Sequence, residues 1–336
     1  MENTTSEKLV ARVGIFGDTH LCDRDYGQHN DYPTESLEYF QTIMNIVRDK
    51  FLTHVILTGD FSYGRFKDLS YRIKVDNVLD RLNEMLGGNL YMVKGNHDTA
   101  SNTMTEYEYY LERGKFRPST RLHLGKTEFL MVDYDKEYSK EAIPSTIPGM
   151  KTIVVAHNWF VFEGQQVPPS AKVINLTNHP YWFNIEGVIS GHIHQNSLVQ
   201  GFIKKVDPET GRVVDGGGTR KIFAWQLPCW ARPQYLSTGN PDAGEFAIAE
   251  VYESRIQLYN EAIQLWPLEK SFNLSLIEQK QDKKEIHETH KVDLTDIVNN
   301  LTNFSIGYGN PEDMIMGMLD VDIRYRKKAV ELLKGN

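Results

Sequence analysis

Five short polar clusters carry side chains able to hold divalent cations: Asp18-x-His20, Gly59-Asp60, Gly95-Asn96-His97-Asp98, His157 and Gly191-His192-x-His194. Their donors are carboxylate oxygen, amide oxygen and imidazole nitrogen, without thiolate, a set suited to divalent transition metals. Seven candidate ligands (Asp18, His20, Asp60, Asn96, His157, His192 and His194) are too many for one ion. Two ions sharing one carboxylate, roughly 3.5–4 Å apart, fit them well. Asp18-x-His20 and His192-x-His194 each put two ligands on one side of an extended chain, because strand side chains repeat every two residues. Glycines 17, 59, 95 and 191 stand before the clusters and let the backbone turn or approach closely. A buried group of carboxylates and imidazoles without cations would be very costly.

Each cluster follows a strand-like run. Residues 11–17, 54–58, 89–93, 152–156 and 187–190 read as strands, and residues 128–133 as another. Between them, Leu37, Phe40, Met44, Val47 and Phe51 predict a helix over 34–51. Within 67–86, Val75, Val78, Leu79, Leu82 and Leu86 share one helical face, with Leu69 and Ile73 off it. The rhythm of strand, polar cluster and helix argues for an α/β layered fold with loops at the C-terminal ends of neighbouring strands.

The chain has 336 residues and a formal net charge of −8, which excludes a globally basic coat for nucleic acid but not a local basic groove. No apolar run approaches the roughly 18–20 residues that span a bilayer. The polar start Met1–Lys8 reads as no signal peptide, and two cysteines, Cys22 and Cys229, make no disulfide framework. A reducing cytoplasm is the expected location.

The expected organisation is a catalytic core over 1–200, a β-rich extension over 201–276, a polar linker over 277–291 and a helical tail over 292–336. Asp207-Pro208-Glu209-Thr210-Gly211 is a hairpin signal between 202–206 and 212–214, and β-like segments follow at 221–226, 245–251 and 255–259. Asn310-Pro311 suits the start of a helix whose stripe is Met314, Met318, Val321 and Tyr325.

With this set complete and in order, the chain resembles the calcineurin-like metallophosphoesterases. Their pattern is Asp-x-His, Gly-Asp, Gly-Asn-His-Asp or Glu, a lone His, and Gly-His-x-His. The resemblance covers roughly residues 11–200 and implies a two-sheet α/β/β/α sandwich around a dinuclear site. By matching positions it implies that Asp18, His20 and His194 hold one ion, that Asn96, His157 and His192 hold the other, and that Asp60 bridges them. His97 would then face the substrate and protonate the leaving oxygen or stabilise the transition state, with Asp98 orienting its ring.

Within that family the layout looks like the nuclease subunit of the SbcCD type, including phage versions. It lacks the Gly-Asp-x-x-Asp-Arg-Gly of Ser/Thr protein phosphatases and has Gly59-Asp60-Phe61-Ser62-Tyr63-Gly64-Arg65 instead. The resemblance implies a manganese-dependent DNA exo/endonuclease of recombination and repair. It also implies a capping role for 201–276, a homodimer, and a tail docked on an SbcC-like coiled-coil ABC ATPase. Many such nucleases carry His three positions after the bridging Asp, where this chain has Tyr63.

Alternatives stand beside this reading. A phosphatase or cyclic-nucleotide phosphodiesterase of the same fold is one, and a non-catalytic binding scaffold is another. Lys204, Lys205 and Arg212, with Arg220 and Lys221, make a phosphate-contacting patch or a solvated hairpin face. His29 in the loop after the first cluster is a candidate substrate contact. His54, in an apolar strand, reads as a satisfied core imidazole. Trp159 is a packing residue or a stacking platform for a base.

Overall fold

Side chains of the strand that leads to Asp18, β1 (Leu9–Phe16), alternate between two cores. Val13 and Ile15 enter a core between two sheets, whereas Phe16 enters a second core under the helices. The next two strands repeat the division. In β2 (His54–Leu57) Ile56 faces the sheets while Val55 and Leu57 face the helices. In β3 (Leu90–Met92) Tyr91 faces the sheets while Leu90 and Met92 face the helices. Strands buried on both faces read as continuous apolar runs, which is why they stood out in the sequence.

These assignments come from a computed structural model that describes residues 7–25, 32–99, 104–118, 120–134, 146–167, 173–178, 183–207, 209–230, 244–262 and the backbone of 272–273. All belong to one compact unit covering Met1–Tyr235 and Asn240–Ser275.

The helical layer consists of α1 (Tyr32–Asp49), α2 (Leu69–Leu86) and the short α3 (Glu106–Glu112). In α2 the Asp68 side chain accepts from the Ser70 amide at 2.7 Å, and Gly87 closes the helix in the left-handed conformation. The five residues expected on its inner face are all buried, while Leu69 and Ile73 are exposed. In α1, Phe51 lies just beyond the helix end and is exposed. Leu79 is fully buried in the helix-side core, so Leu79→Ala should cost about 2–5 kcal/mol in a denaturant titration. A loss under about 1 kcal/mol would contradict that packing.

Fourteen strands are described. The others are β4 (Arg121–Leu124), β5 (Thr127–Val132), β6 (Lys151–Ala156), β7 (Trp159–Val161), β8 (Val173–Asn175), β9 (Ile185–Ser190), β10 (Ser197–Lys204), β11 (Thr219–Gln226), β12 (Glu245–Tyr252), β13 (Ile256–Ala262) and β14 (Phe272–Asn273). The first sheet runs β14-β13-β12-β1-β2-β3 and the second β10-β11-β9-β6-β5-β4. In the first, β1, β2 and β3 are parallel; in the second, β5, β6, β9 and β11 are parallel. Phe129, Met131, Ile153, Val155, Ile189 and Trp225 close the inter-sheet core from the second sheet.

The two-sheet sandwich agrees with expectation. The second sheet's outer face is covered, among the described residues, by the β7–β8 ribbon through Phe160, Phe162 and Leu176, rather than by a helix. The described strands of the segment 201–276, expected as a β-rich cap, lie in the two sheets. Strands β10 and β11 extend the second sheet beside β9, and β12 pairs antiparallel with β1 in the first. The predicted hairpin turn is present: Asp207 Oδ1 accepts from the amides of Glu209 and Thr210 at 2.8 and 2.9 Å, and a Val206–Val213 bridge closes it. The linker and the helical tail lie outside the described residues. Among the described residues no helix is long and apolar enough to cross a membrane.

His54 bonds Thr53 Oγ1 at 2.9 Å and stacks near Tyr91, as its reading as a satisfied imidazole requires. Burial, helped by the Arg117 charge, pushes its pKa down to about 4.

Candidate metal centre

All five polar clusters fall just beyond the C-terminal ends of parallel strands. Asp18 and His20 follow β1, Asp60 follows β2, and Asn96 to Asp98 follow β3. His157 directly follows β6, and His192 and His194 follow β9. The first sheet thus supplies four candidate ligands and the second three.

The loops are stitched together by backbone bonds. The His20 amide donates to Asp60 O and the Leu21 amide to Phe61 O, both at 2.9 Å. His20, Asp60, His192 and His194 have φ of 42°, 47°, 89° and 54°. Left-handed backbone is uncommon for residues with a side chain, and four such positions in one cluster mark a strained, functional site. A Cβ at Gly95 would collide with Asp60, and one at Gly191 with Asp18, so these glycines make room for the two carboxylates.

The donor atoms converge in two groups. His20 Nε2 and His194 Nε2 are 2.9 Å apart, and His194 Nε2 is 3.1 Å from Asp18 Oδ2. Asn96 Oδ1 is 2.9 Å from both His157 Nε2 and His192 Nδ1. Asp60 Oδ2 lies between the groups, 3.7 Å from His20 Nε2 and 3.2 Å from His157 Nε2. It approaches one histidine of each group. His157 Nδ1 lies 2.9 Å from Thr58 O, an arrangement that presents Nε2 to the cluster.

Asp18 and Asp60 are buried, so their charges need compensation. For His157, burial opposes the charged form, but the Asp60 and Asp18 carboxylates prevail and raise its pKa to about 10. Burial holds His20 down to about 4 against the pull of Asp60. The cluster's two carboxylates are buried, and its donors are oxygen and imidazole nitrogen. Divalent cations fit such a set, displacing the His157 proton as they bind.

His97 is exposed at the mouth of this cluster, with Nε2 4.0 Å from Asp60 Oδ2. Its amide donates to Asp60 Oδ1 at 2.8 Å. The expected role of Asp98 is corrected. Its buried carboxylate accepts from the amides of Gly95 at 2.9 Å and Phe61 at 3.2 Å, and no described contact joins it to the His97 ring. A carboxylate buried in a tight turn takes the amides nearest to it, and here these hold the Asn96 and Asp60 loops together. Burial and the Asp60 charge raise its pKa to about 7.

The basic patch lies away from the metal end. Lys204 pairs with Thr219, whereas Ser197 pairs with Gln226, which aligns with Ser190 just before the Gly-His-x-His loop. At about 3.3 Å per residue, Lys204 lies roughly 23 Å along the sheet from the metal end. Lys205 and Arg212 lie in the hairpin beyond it, and Lys204 Nζ faces Glu163 at 3.7 Å. His29 lies outside the described residues. Trp159 begins β7 and is half-buried.

Three neighbours of the site had escaped sequence reading as contacts. Cys229 Sγ lies within 4.8 Å of ring nitrogens of His20 and His194 and donates to Asp18 O at 3.2 Å. Its link to the first cluster spans 211 residues, which no local pattern signals. Tyr134 lies 5.8 Å from the His192 ring, centroid to centroid. Its place two residues after β5 was the available signal. Tyr63, noted only as a departure from the nuclease pattern, packs on His97 and His20.

Residues 11–196, more than half of the chain, match the calcineurin-like phosphoesterase family, and the chain belongs to it. Among solved structures it is similar to a dimetal phosphatase from Danio rerio, at 13% identity and TM-score 0.41, over 79% of this chain and 99% of that one. It is also similar to YfcE, a phosphoesterase from E. coli, at 14% identity and TM-score 0.37, over 78% and 98% of the two chains. A third is Vps29 complexed with zinc from Entamoeba histolytica, at 12% identity and TM-score 0.37, over 78% and 98%. Comparison with the curated proteins found no match.

Proposed function

We propose that the chain is a hydrolase of phosphate diesters with two divalent cations, and that its substrate is DNA. The observation that carries the hydrolase reading is the convergence of six candidate ligands in two groups with Asp60 Oδ2 between them, beneath an exposed His97. When bound, two cations supply positive charge for the phosphoryl oxygens and an attacking water acidified into the neutral range. Asp18, His20 and His194 would hold one, Asn96, His157 and His192 the other, and Asp60 both. The chain's own contribution at the leaving group is His97, which is free to meet the departing oxygen from the solvent side and hold a proton for it.

DNA as substrate rests on the resemblance to SbcCD-type nucleases in motif order and helix layout. Manganese, a homodimer and an SbcC-like ABC ATPase partner belong to the same proposal. One observation favours the second reading, a phosphatase or cyclic-nucleotide phosphodiesterase. The described strands after residue 200 lie within the two sheets of the sandwich, where a β-rich clamp at the metal end was expected.

The test compares linear DNA with para-nitrophenyl phosphate in the presence of manganese. Cleavage of DNA, abolished by a chelator and restored by manganese, is the expected result. Turnover confined to the small ester would favour the second reading. Activity that survives exhaustive chelation would overturn both.

A further inference from the structure

We infer that Tyr63 is a positioning residue that sets the orientation of the His97 ring, an inference that rests on the hydrolase reading for its catalytic consequence. The Tyr63 and His97 rings pack 4.9 Å apart, centroid to centroid, at 37°. Tyr63 also meets the His20 ring at 6.1 Å and 60°. His20 and His97 contact each other edge-on at 5.2 Å. His97 is thus held between a candidate ligand and Tyr63, although its own side chain is about one-third exposed.

The support beneath Tyr63 is firm. Its amide donates to Leu21 O at 2.9 Å, and Leu21 bridges Ser62 in a parallel pair. Thr19 Oγ1 donates to Phe61 O at 2.8 Å. The segment carrying Tyr63 is therefore tied to the segment carrying His20, so both rings that touch His97 move as one piece. Gly64, at φ 91°, then turns the chain away. An exposed imidazole on a loop would otherwise sample several rotamers, and displacements of about 1 Å can cost 10²-fold in rate.

The experiment uses the full chain with manganese and whichever phosphate ester it cleaves. Tyr63→Phe keeps the ring and should stay within about twofold of the native rate, whereas Tyr63→Ala should lower kcat about 10- to 100-fold with KM nearly unchanged. In a His97→Ala background, Tyr63→Ala should have no further effect, because the two act as a unit. Losses that multiply in the double variant, with His97→Ala alone impaired, would overturn the inference and leave the hydrolase reading standing. A second measurement is independent of turnover. Proton NMR of the native protein with diamagnetic magnesium should give cross-relaxation between the Tyr63 and His97 ring protons. Its absence would overturn the inference. Its presence in a protein that cleaves neither ester would uphold the packing while the hydrolase reading failed.

Discussion

Replacing Asp60 by Asn should weaken cation binding at both halves of the site together, by about 100-fold or more. The reason is the position of one atom. Asp60 Oδ2 faces His20 of one ligand group and His157 of the other, so a neutral amide removes charge from both. Asp60 Oδ1 also receives the His97 amide, which makes the same carboxylate responsible for the loop at the leaving group. Asp18→Asn is the control. Asp18 Oδ2 lies 3.1 Å from His194 and 4.0 Å from His20, whereas its Oδ1 faces the outward ring nitrogen of His157, Nδ1, at 3.5 Å, so its loss should fall harder on the His20–His194 half. Metal counting after gel filtration, with calorimetric titration, reads both variants. Two ions bound at native affinity in Asp60→Asn would remove the bridging assignment.

His97→Ala should behave in the opposite way, keeping both ions and losing most turnover, by about 10²–10⁴-fold. His97 lies beside ligand Asn96 in the chain, yet its ring is exposed and its Nε2 is 4.0 Å from the nearest Asp60 oxygen. It therefore adds nothing to the enclosed donor set. A near-native rate would show that the leaving oxygen needs no proton from this ring. A variant purified without its metals would make His97 a ligand after all.

The candidate cluster was legible in the sequence because each of its members follows a strand buried on both faces, and such strands announce themselves as apolar runs. The inner face of α2 was legible for a related reason: Val75, Val78, Leu79, Leu82 and Leu86 recur at helical spacing and all are buried. Strand partnership was not. Residues 245–251 were readable as β, but nothing local says that Glu250 will meet Arg12, 238 positions earlier, at 2.9 Å. The same gap left the place of Lys204, Lys205 and Arg212 open. Their charge suggested phosphate, but the direction of β10 carries them to the far end of the sheet. Short elements also escaped. The ribbon of β7 and β8 has three residues in each strand, and α3 has seven, too few for a period to emerge. Asp98 was misread because neighbours in sequence suggested its partner, while a buried carboxylate takes whichever donors the turn presents.

The division of ligands between the sheets has a mechanical consequence. Asp18, His20, Asp60 and Asn96 hang from one layer, and His157, His192 and His194 from the other. Ions held by both sets would fasten the layers at one end of the sandwich, beyond the inter-sheet core that Val93 and Leu227 close at the strand ends. A ligand that binds only the folded chain stabilises it by about 2.7 kcal/mol at a hundred times its dissociation constant. Free cation concentration would then govern how tightly the two layers are held as well as how fast the site turns over. Stripping the metals would loosen the molecule first along the seam on which its chemistry depends.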